Sequence, residues 1–216
     1  TKIEDADLEF LQADIPKLLK SMKVGTKRIR EIVKSLRTFS RLDEAAYKQA
    51  DVHEGIESTL LILQHRLQGQ PDRPAVKVVR HYDKIPLIEC YAGQLNQVFM
   101  NIMANALDAM ESRDSNCKAD AISQAPSTLT LTTRLLPVDK QIIITIRDNG
   151  PGIPESISNK IFDPFFTTKP VGKGTGLGMS ISHQIITEHH KGLLTCQSKI
   201  GEGTEFTIQI PTSHTT

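Results

Sequence analysis

The chain has 216 residues, enough for one ordinary domain or for a compact domain with a helical extension. Hydrophobic residues make up 38% and charged residues 24%, the balance of a soluble globular protein and not of a disordered one. The formal net charge is +1, no basic run interleaves aromatics, and no apolar run approaches the ~20 residues of a membrane span, so neither nucleic acid nor direct membrane contact is an expected partner.

Cys90, Cys117 and Cys196 are far apart and form no CxxC pair, so they read as reduced thiols of a cytoplasmic protein. The sequence opens TKIEDADLEF, with neither a start methionine nor a signal peptide. It reads as a fragment whose parent could carry membrane or sensor segments upstream.

The first predicted element is a long helix. Leu8, Leu11, Ile15, Leu18, Met22, Ile29, Ile32, Leu36 and Phe39 alternate steps of three and four, with Gly25 in the vacant seam position. Pro16 should kink or restart it. A narrow stripe with a charged opposite face predicts packing in a bundle or dimer; packing on its own domain is the alternative. SRLDEAAYKQADVHEG then breaks the pattern and HEGIESTLLILQHRL resumes a helix. QGQPDRP is a turn cluster, VKVVRHY alternates like a strand, and YAGQLNQVFMNIMANALDAMES is built of good helix formers. SRDSNCKADAISQAPS reads as a mobile surface loop. TLTLTTRLL and QIIITIR are strands joined by a turn at 137–140. After a glycine-rich stretch, LGMSISHQIITEHH is a helix, with His189, His190 and Lys191 as cations in its last turn and Gly192 as a left-handed stop. LLTCQSK and TEFTIQI close the chain as a hairpin across IGEG.

Five segments carry candidate chemistry. Asn101, Asn105 and Asp108 are spaced four and three and share one helix face beside an apolar one. Asparagine is a mediocre helix former, and its amide oxygen is a hard ligand suited to Mg²⁺; a solvated polar face is the other reading. In DNGPGIP, Asp148 at a strand end can accept from an exocyclic amine such as that of adenine, while Gly150 and Gly152 allow close approach; plain turn chemistry also explains it. VGKGTGLGMS runs straight into a helix, so exposed amides could cradle phosphate beside Lys173; the spacing is neither that of a P-loop nor that of a dinucleotide fold, and a flexible linker is the alternative. FDPFFTTK holds three of the seven phenylalanines, as a lid over nucleotide or as ordinary packing under a loop. IGEGTEF alone means only a hairpin, with Thr204 opening a strand.

Taken in order, NIMANALDA, DNGPGIP, FDPFFTTK, GKGTGLGMS and GEGTEF resemble the N box, first glycine box, F box, second glycine box and final glycine turn of sensor histidine kinases, across residues 51–211. IREIVKSLRTFSRLD resembles the second helix of that family's dimerisation domain, and with QADVHEGIESTLLILQHRL it looks most like the multi-sensor kinases of cyanobacteria. The resemblance implies an α/β fold, a two-layer sandwich of a mixed sheet covered by helices. Residues 1–48 would be a partial dimerisation segment and 49–216 the catalytic, ATP-binding domain. It implies ATP and Mg²⁺ as cofactors, with Asn105 on the metal and Asn101 supporting the phosphate region. Asp148 would read the adenine amine with Thr204 near it through water, and Gly150 and Gly152 would line the adenine pocket. Gly174, Thr175, Gly176, Leu177 and Gly178 would form the phosphate cradle, with Lys169 and Lys173 as cations. Many family members carry a basic residue where Asp108 stands; its charge would come from Lys169 or Lys173 instead, or Asp108 would bond within its own helix.

The implied activity is transfer of the ATP γ-phosphoryl group to a histidine upstream of this sequence, then to an aspartate of a response regulator, in a homodimer formed through the N-terminal helix. None of the seven histidines is expected to accept phosphate. The one His–Glu pair, His53–Glu54, follows the dimerisation helix and reads as a helix start beside Asp51. ATP-driven clamps sharing the fold, and a nucleotide-binding module without kinase activity, are the alternatives.

Overall fold

The computed structural model describes residues 15, 19, 22 and 26, then 47–69, 74–115, 125–169 and 174–213. In chain order its elements are β1 (Lys48–Ala50), α1 (Val52–Ile62), α2 (Gln64–Leu67), β2 (Lys77–Tyr82), β3 (Ile88–Cys90), α3 (Ala92–Ser115), β4 (Thr128–Leu136), β5 (Gln141–Asp148), α4 (Glu155–Ser158), α5 (Gly178–Gln184), β6 (Leu193–Lys199) and β7 (Gly203–Pro211). A π-helical turn, Ile185–His189, extends α5.

Strict alternation sets the sheet. Leu129, Leu131 and Thr133 of β4 and Ile142, Ile144 and Ile146 of β5 all point to one buried face. The five strands order β2-β4-β5-β7-β6, with β2 and β4 parallel and the other pairs antiparallel, a mixed sheet. Its apolar face must be covered, and α3 does most of this. Leu95, Val98, Phe99, Ile102, Met103, Ala106, Leu107 and Met110 recur at steps of three and four and are buried against it. Emptying such a site, as in Phe99→Ala, costs about 3–5 kcal/mol. Helices α1 and α5 flank α3, completing the two-layer sandwich.

Two details place the site. Asp148, the last residue of β5, pairs with Thr204 near the start of β7, so a central strand delivers its carboxylate beside that residue. Gly203 opens β7 with φ of 106°, and a Cβ there would stand 2.0 Å from the Asp148 carbonyl oxygen.

Several local expectations change. QADVHEG does not merely interrupt two helices: Lys48–Ala50 pairs antiparallel with Ile88–Cys90 as a separate two-stranded ribbon. Gly192 is not the left-handed stop. Lys191 takes φ of 51°, and glycine is needed next because a Cβ would lie 2.3 Å from the Gln209 carbonyl oxygen. Nor is His190 a surface cation. It is buried, its Nε2 accepts from the Tyr91 N–H at 3.1 Å, and its Nδ1 faces the Ile185 carbonyl oxygen at 2.9 Å, which requires a neutral ring. Helix α3 runs on to Ser115, past the expected end.

Most of the heptad seam of residues 8–39, including Pro16, lies outside the described residues. Ile15, Leu19, Met22 and Thr26 are helical. The three apolar ones are 49%, 60% and 67% exposed, an uncovered stripe. No helix among the described residues is long and apolar enough to cross a membrane. Cys90 and Cys196 are free thiols, pushed by burial up to about 11 and about 12, which favours the protonated form. Cys117 lies outside the described residues.

Candidate functional site

The sheet ends at Asp148, which is 3% exposed. One carboxylate oxygen accepts the Gly150 N–H at 2.7 Å, a turn bond that fixes the side chain. Burial pushes the carboxyl above the usual carboxylate range, although the Gly150 and Thr204 amides and the charge of Arg113 pull the other way. A Cβ on Gly150 would crowd that carboxylate oxygen at 2.7 Å and Ala109 at 3.3 Å. Gly152, at φ 75°, abuts the Lys199 carbonyl oxygen, 2.2 Å from where a Cβ would stand. The Thr204 hydroxyl lies 2.9 Å from Ser198 Oγ, which also accepts from the Ile153 N–H at 2.8 Å. Ser198 therefore ties the first glycine turn to β7, a role not visible in the sequence.

A second missed group holds the same turn from behind. Arg113, near the end of α3, donates to the Asn149 carbonyl at 2.7 Å, to Ser127 Oγ at 2.9 Å and to the buried Asp114 carboxylate at 2.8 Å. Asn149 in turn accepts the Thr128 N–H at 2.8 Å and donates to the Pro126 carbonyl at 2.9 Å. The loop carrying Asp148's glycines is thus clamped to α3 and β4.

The polar stripe of α3 faces the glycine loop. Asn101 donates through Nδ2 to the Gly178 carbonyl at 3.0 Å and to Ser182 Oγ at 3.1 Å, anchoring the first turn of α5. Asn105 Oδ1 accepts from Lys169 Nζ at 2.9 Å. Asp108, omitted from the expected site, completes the group: Oδ2 takes Lys169 Nζ at 2.5 Å and Oδ1 takes Arg66 Nη2 at 2.5 Å. Arg66 also forms a two-pronged pair with Glu111 at 3.3 and 2.9 Å. Asp108 therefore bonds to neither its own helix nor solvent alone. Burial pulls its carboxyl up, but the bonds and charges of Lys169 and Arg66 outweigh this and hold it below the usual range. The signal was available: the stripe Asn101, Asn105, Asp108, Glu111 continues at steps of four, three and three.

The FDPFFTTK segment and the loop meet closely. Phe162 and Phe166 pack on the core, Phe162 against His183 at 5.1 Å between ring centres. Phe165 instead is 74% exposed and takes φ of 66°. Gly176, at φ 69°, presses on it, since a Cβ would stand 2.4 Å from the Phe165 carbonyl carbon. Gly174 leaves room for Thr167 Oγ1 and the Lys169 stem, 2.8 and 3.2 Å from a Cβ position. Thr175 Oγ1 accepts the Leu177 N–H at 3.4 Å, and the Leu177 carbonyl accepts from Ile181 at 3.0 Å as α5 begins at Gly178. Lys173 lies outside the described residues. Asn101, Asn105, Lys169 and residues 174–178 are thus brought together, with Asp148 and Thr204 at the adjoining sheet end.

His53 stands apart. Asp51 caps α1 by accepting the His53 and Glu54 N–H groups at 2.8 and 3.4 Å, and the His53 ring stacks on Tyr82 with Nε2 2.9 Å from Thr133 Oγ1.

Residues 91–214 match the family model described as "Histidine kinase-, DNA gyrase B-, and HSP90-like ATPase". The chain is 34% identical over 191 residues to "Sensor kinase CckA" of Brucella abortus, covering 88% of this chain and 20% of that protein. It is 33% identical over 184 residues to "Signal transduction histidine-protein kinase AtoS" of Escherichia coli, covering 85% and 27%. The chain thus spans about a fifth to a quarter of the length of these relatives. Among solved structures, the catalytic domain of histidine kinase ThkA superposes with a TM-score of 0.61 at 24% identity, covering 78% of this chain and 97% of that one. ThkA in complex with response regulator protein TrrA matches with a TM-score of 0.58 at 22% identity, covering 88% and 49%. The relatives named here are sensor kinases, and by the match of its family model the chain belongs to the histidine kinase-, DNA gyrase B- and HSP90-like ATPases.

Proposed function

We propose that this chain is the catalytic part of a two-component sensor kinase, binding ATP and passing its γ-phosphoryl group to a histidine outside this sequence, and from there to a response-regulator aspartate. The observation that carries the reading is the convergence of three elements: the stripe of α3, the FDPFFTTK segment ending at Lys169, and the loop opening α5. The ThkA structure solved with a response regulator supports the second transfer by likeness.

Each part of ATP then has a partner. The free acceptor capacity of the Asp148 carboxylate takes the adenine amine, with Thr204 near it through water, and Gly150 and Gly152 keep side chains off the ring. The loop of Gly174, Thr175, Gly176, Leu177 and Gly178 would cradle the phosphates at a helix start, where negative charge is favoured, with the glycine amides as donors. Lys169 and Lys173 add positive charge. Asn101 positions the loop through Gly178. Asn105 suits Mg²⁺, because its amide oxygen already faces a cation, the Lys169 ammonium, and hard oxygen donors are what that metal takes. The metal would supply charge neutralisation on the phosphates; the protein supplies placement.

Residues 1–48 would form part of the dimerisation domain, and the exposure of Ile15 and Met22, the two described residues of the seam, supports a homodimer through that helix. A cytoplasmic site of action follows from the need for ATP and a response regulator. Calorimetric titration with ATP tests the reading: saturable one-site binding is expected, and no heat or competition from ADP would overturn it.

A further inference from the structure

Asp108 lies between two cations, Arg66 and Lys169, and shares the second with Asn105. Its Oδ2 and the Oδ1 of Asn105, one turn earlier on α3, both bond to a single ammonium group, Lys169 Nζ, at 2.5 and 2.9 Å. Two hard oxygens from one helix face therefore already converge on a positive charge. The other carboxylate oxygen is held by Arg66, itself braced by Glu111, so the side chain is pinned and aimed. The four charges of Arg66, Asp108, Glu111 and Lys169 cancel. The cation comes on the segment that leads directly into the glycine loop, and its stem packs against the position of Gly174.

We propose that Asp108 is a second oxygen donor, beside Asn105, for the divalent cation of the metal–nucleotide complex, and that the Lys169 ammonium occupies this seat as a tethered stand-in until the complex arrives. The inference rests on the nucleotide reading above. The two cations compete for the same pair of oxygens, so entry of the divalent ion frees Lys169 for the phosphates. Arg66 keeps the carboxylate from repelling the phosphates in either state. The carboxylate thus reaches the phosphates only through the metal.

The test compares ATP affinity by calorimetry in Mg²⁺ and in EDTA, the ratio being the metal enhancement. Asp108→Asn keeps shape and one acceptor but loses the charge; the ratio should fall about 10- to 100-fold, as when the groups around a metal are altered, with EDTA affinity unchanged or better because Lys169 is released. Lys169→Met should raise the ratio, since the competitor is gone and metal-free binding loses a cation. Asp108→Asn with a wild-type ratio, or with equal losses in both buffers, would overturn the inference alone. If Asp108→Asn fails to fold, a lowered or unchanged ratio in Lys169→Met overturns it. No ATP binding by the unaltered protein in either buffer would overturn the nucleotide reading as well.

Discussion

Replacing Asp148 by asparagine separates recognition from folding. The side chain is 3% exposed and one oxygen is committed to the Gly150 N–H at 2.7 Å. Asparagine can keep that bond through its own oxygen, but it then offers an NH₂ where the adenine amine needs an acceptor. Loss of one charge-assisted hydrogen bond is worth about 1.5–3 kcal/mol, roughly a ten- to hundredfold weaker affinity. Stability should move the other way. Burial raises the folded carboxyl above its unfolded value, so the cost of the buried charge is fully present above the folded value and disappears as pH falls toward the unfolded one. Asp148→Asn should therefore match or exceed the parent melting temperature at neutral pH, and lose that advantage on acidification. Calorimetry with ATP and thermal melts between neutral and acid pH read both quantities. A folded variant with undiminished ATP affinity would refute the assignment, and a large loss of stability at neutral pH would refute the physical account of the buried charge.

Arg113→Ala should leave the buried Asp114 without its main partner and cost about 3 kcal/mol, or about 6–12 °C in melting temperature for a chain of this size; a shift under 2 °C would mean the clamp is incidental. Gly176→Ala forces a side chain to φ 69° and into the Phe165 carbonyl, so ATP affinity should drop at least tenfold with little change in the melt, read by calorimetry and circular dichroism. His53→Gln should leave ATP binding unaltered, because the ring stacks on Tyr82 and meets Thr133 away from the glycine loop.

Much of this was legible in the residues. Period-two alternation in TLTLTTRLL and QIIITIRD marks two central strands because one face of each is buried and the other is not. The order of five short motifs marks the candidate site, and several of their glycines answer a close approach that the fold imposes, as at Gly152 against Lys199. What stayed hidden depends on tertiary pairing. The three-residue β1 has no periodicity to detect and exists through Ile88–Cys90, some forty residues on. Asp108 looked like a departure from pattern because Arg66 and Lys169 lie 42 and 61 positions away. Gly192 was legible as a required glycine but for the wrong reason, crowding by Gln209 in place of left-handed backbone.

The most direct test of the central claim is phosphate transfer in the longer parent protein that contains these residues. Incubated with γ-labelled ATP and Mg²⁺, it should take up label that is acid-labile and base-stable, as phosphohistidine is. Uptake should fall at least tenfold in Asp148→Asn, and the 216-residue chain alone should bind ATP without labelling itself. Label on the short chain, acid-stable label on the parent, or hydrolysis of ATP with no labelled protein would contradict it.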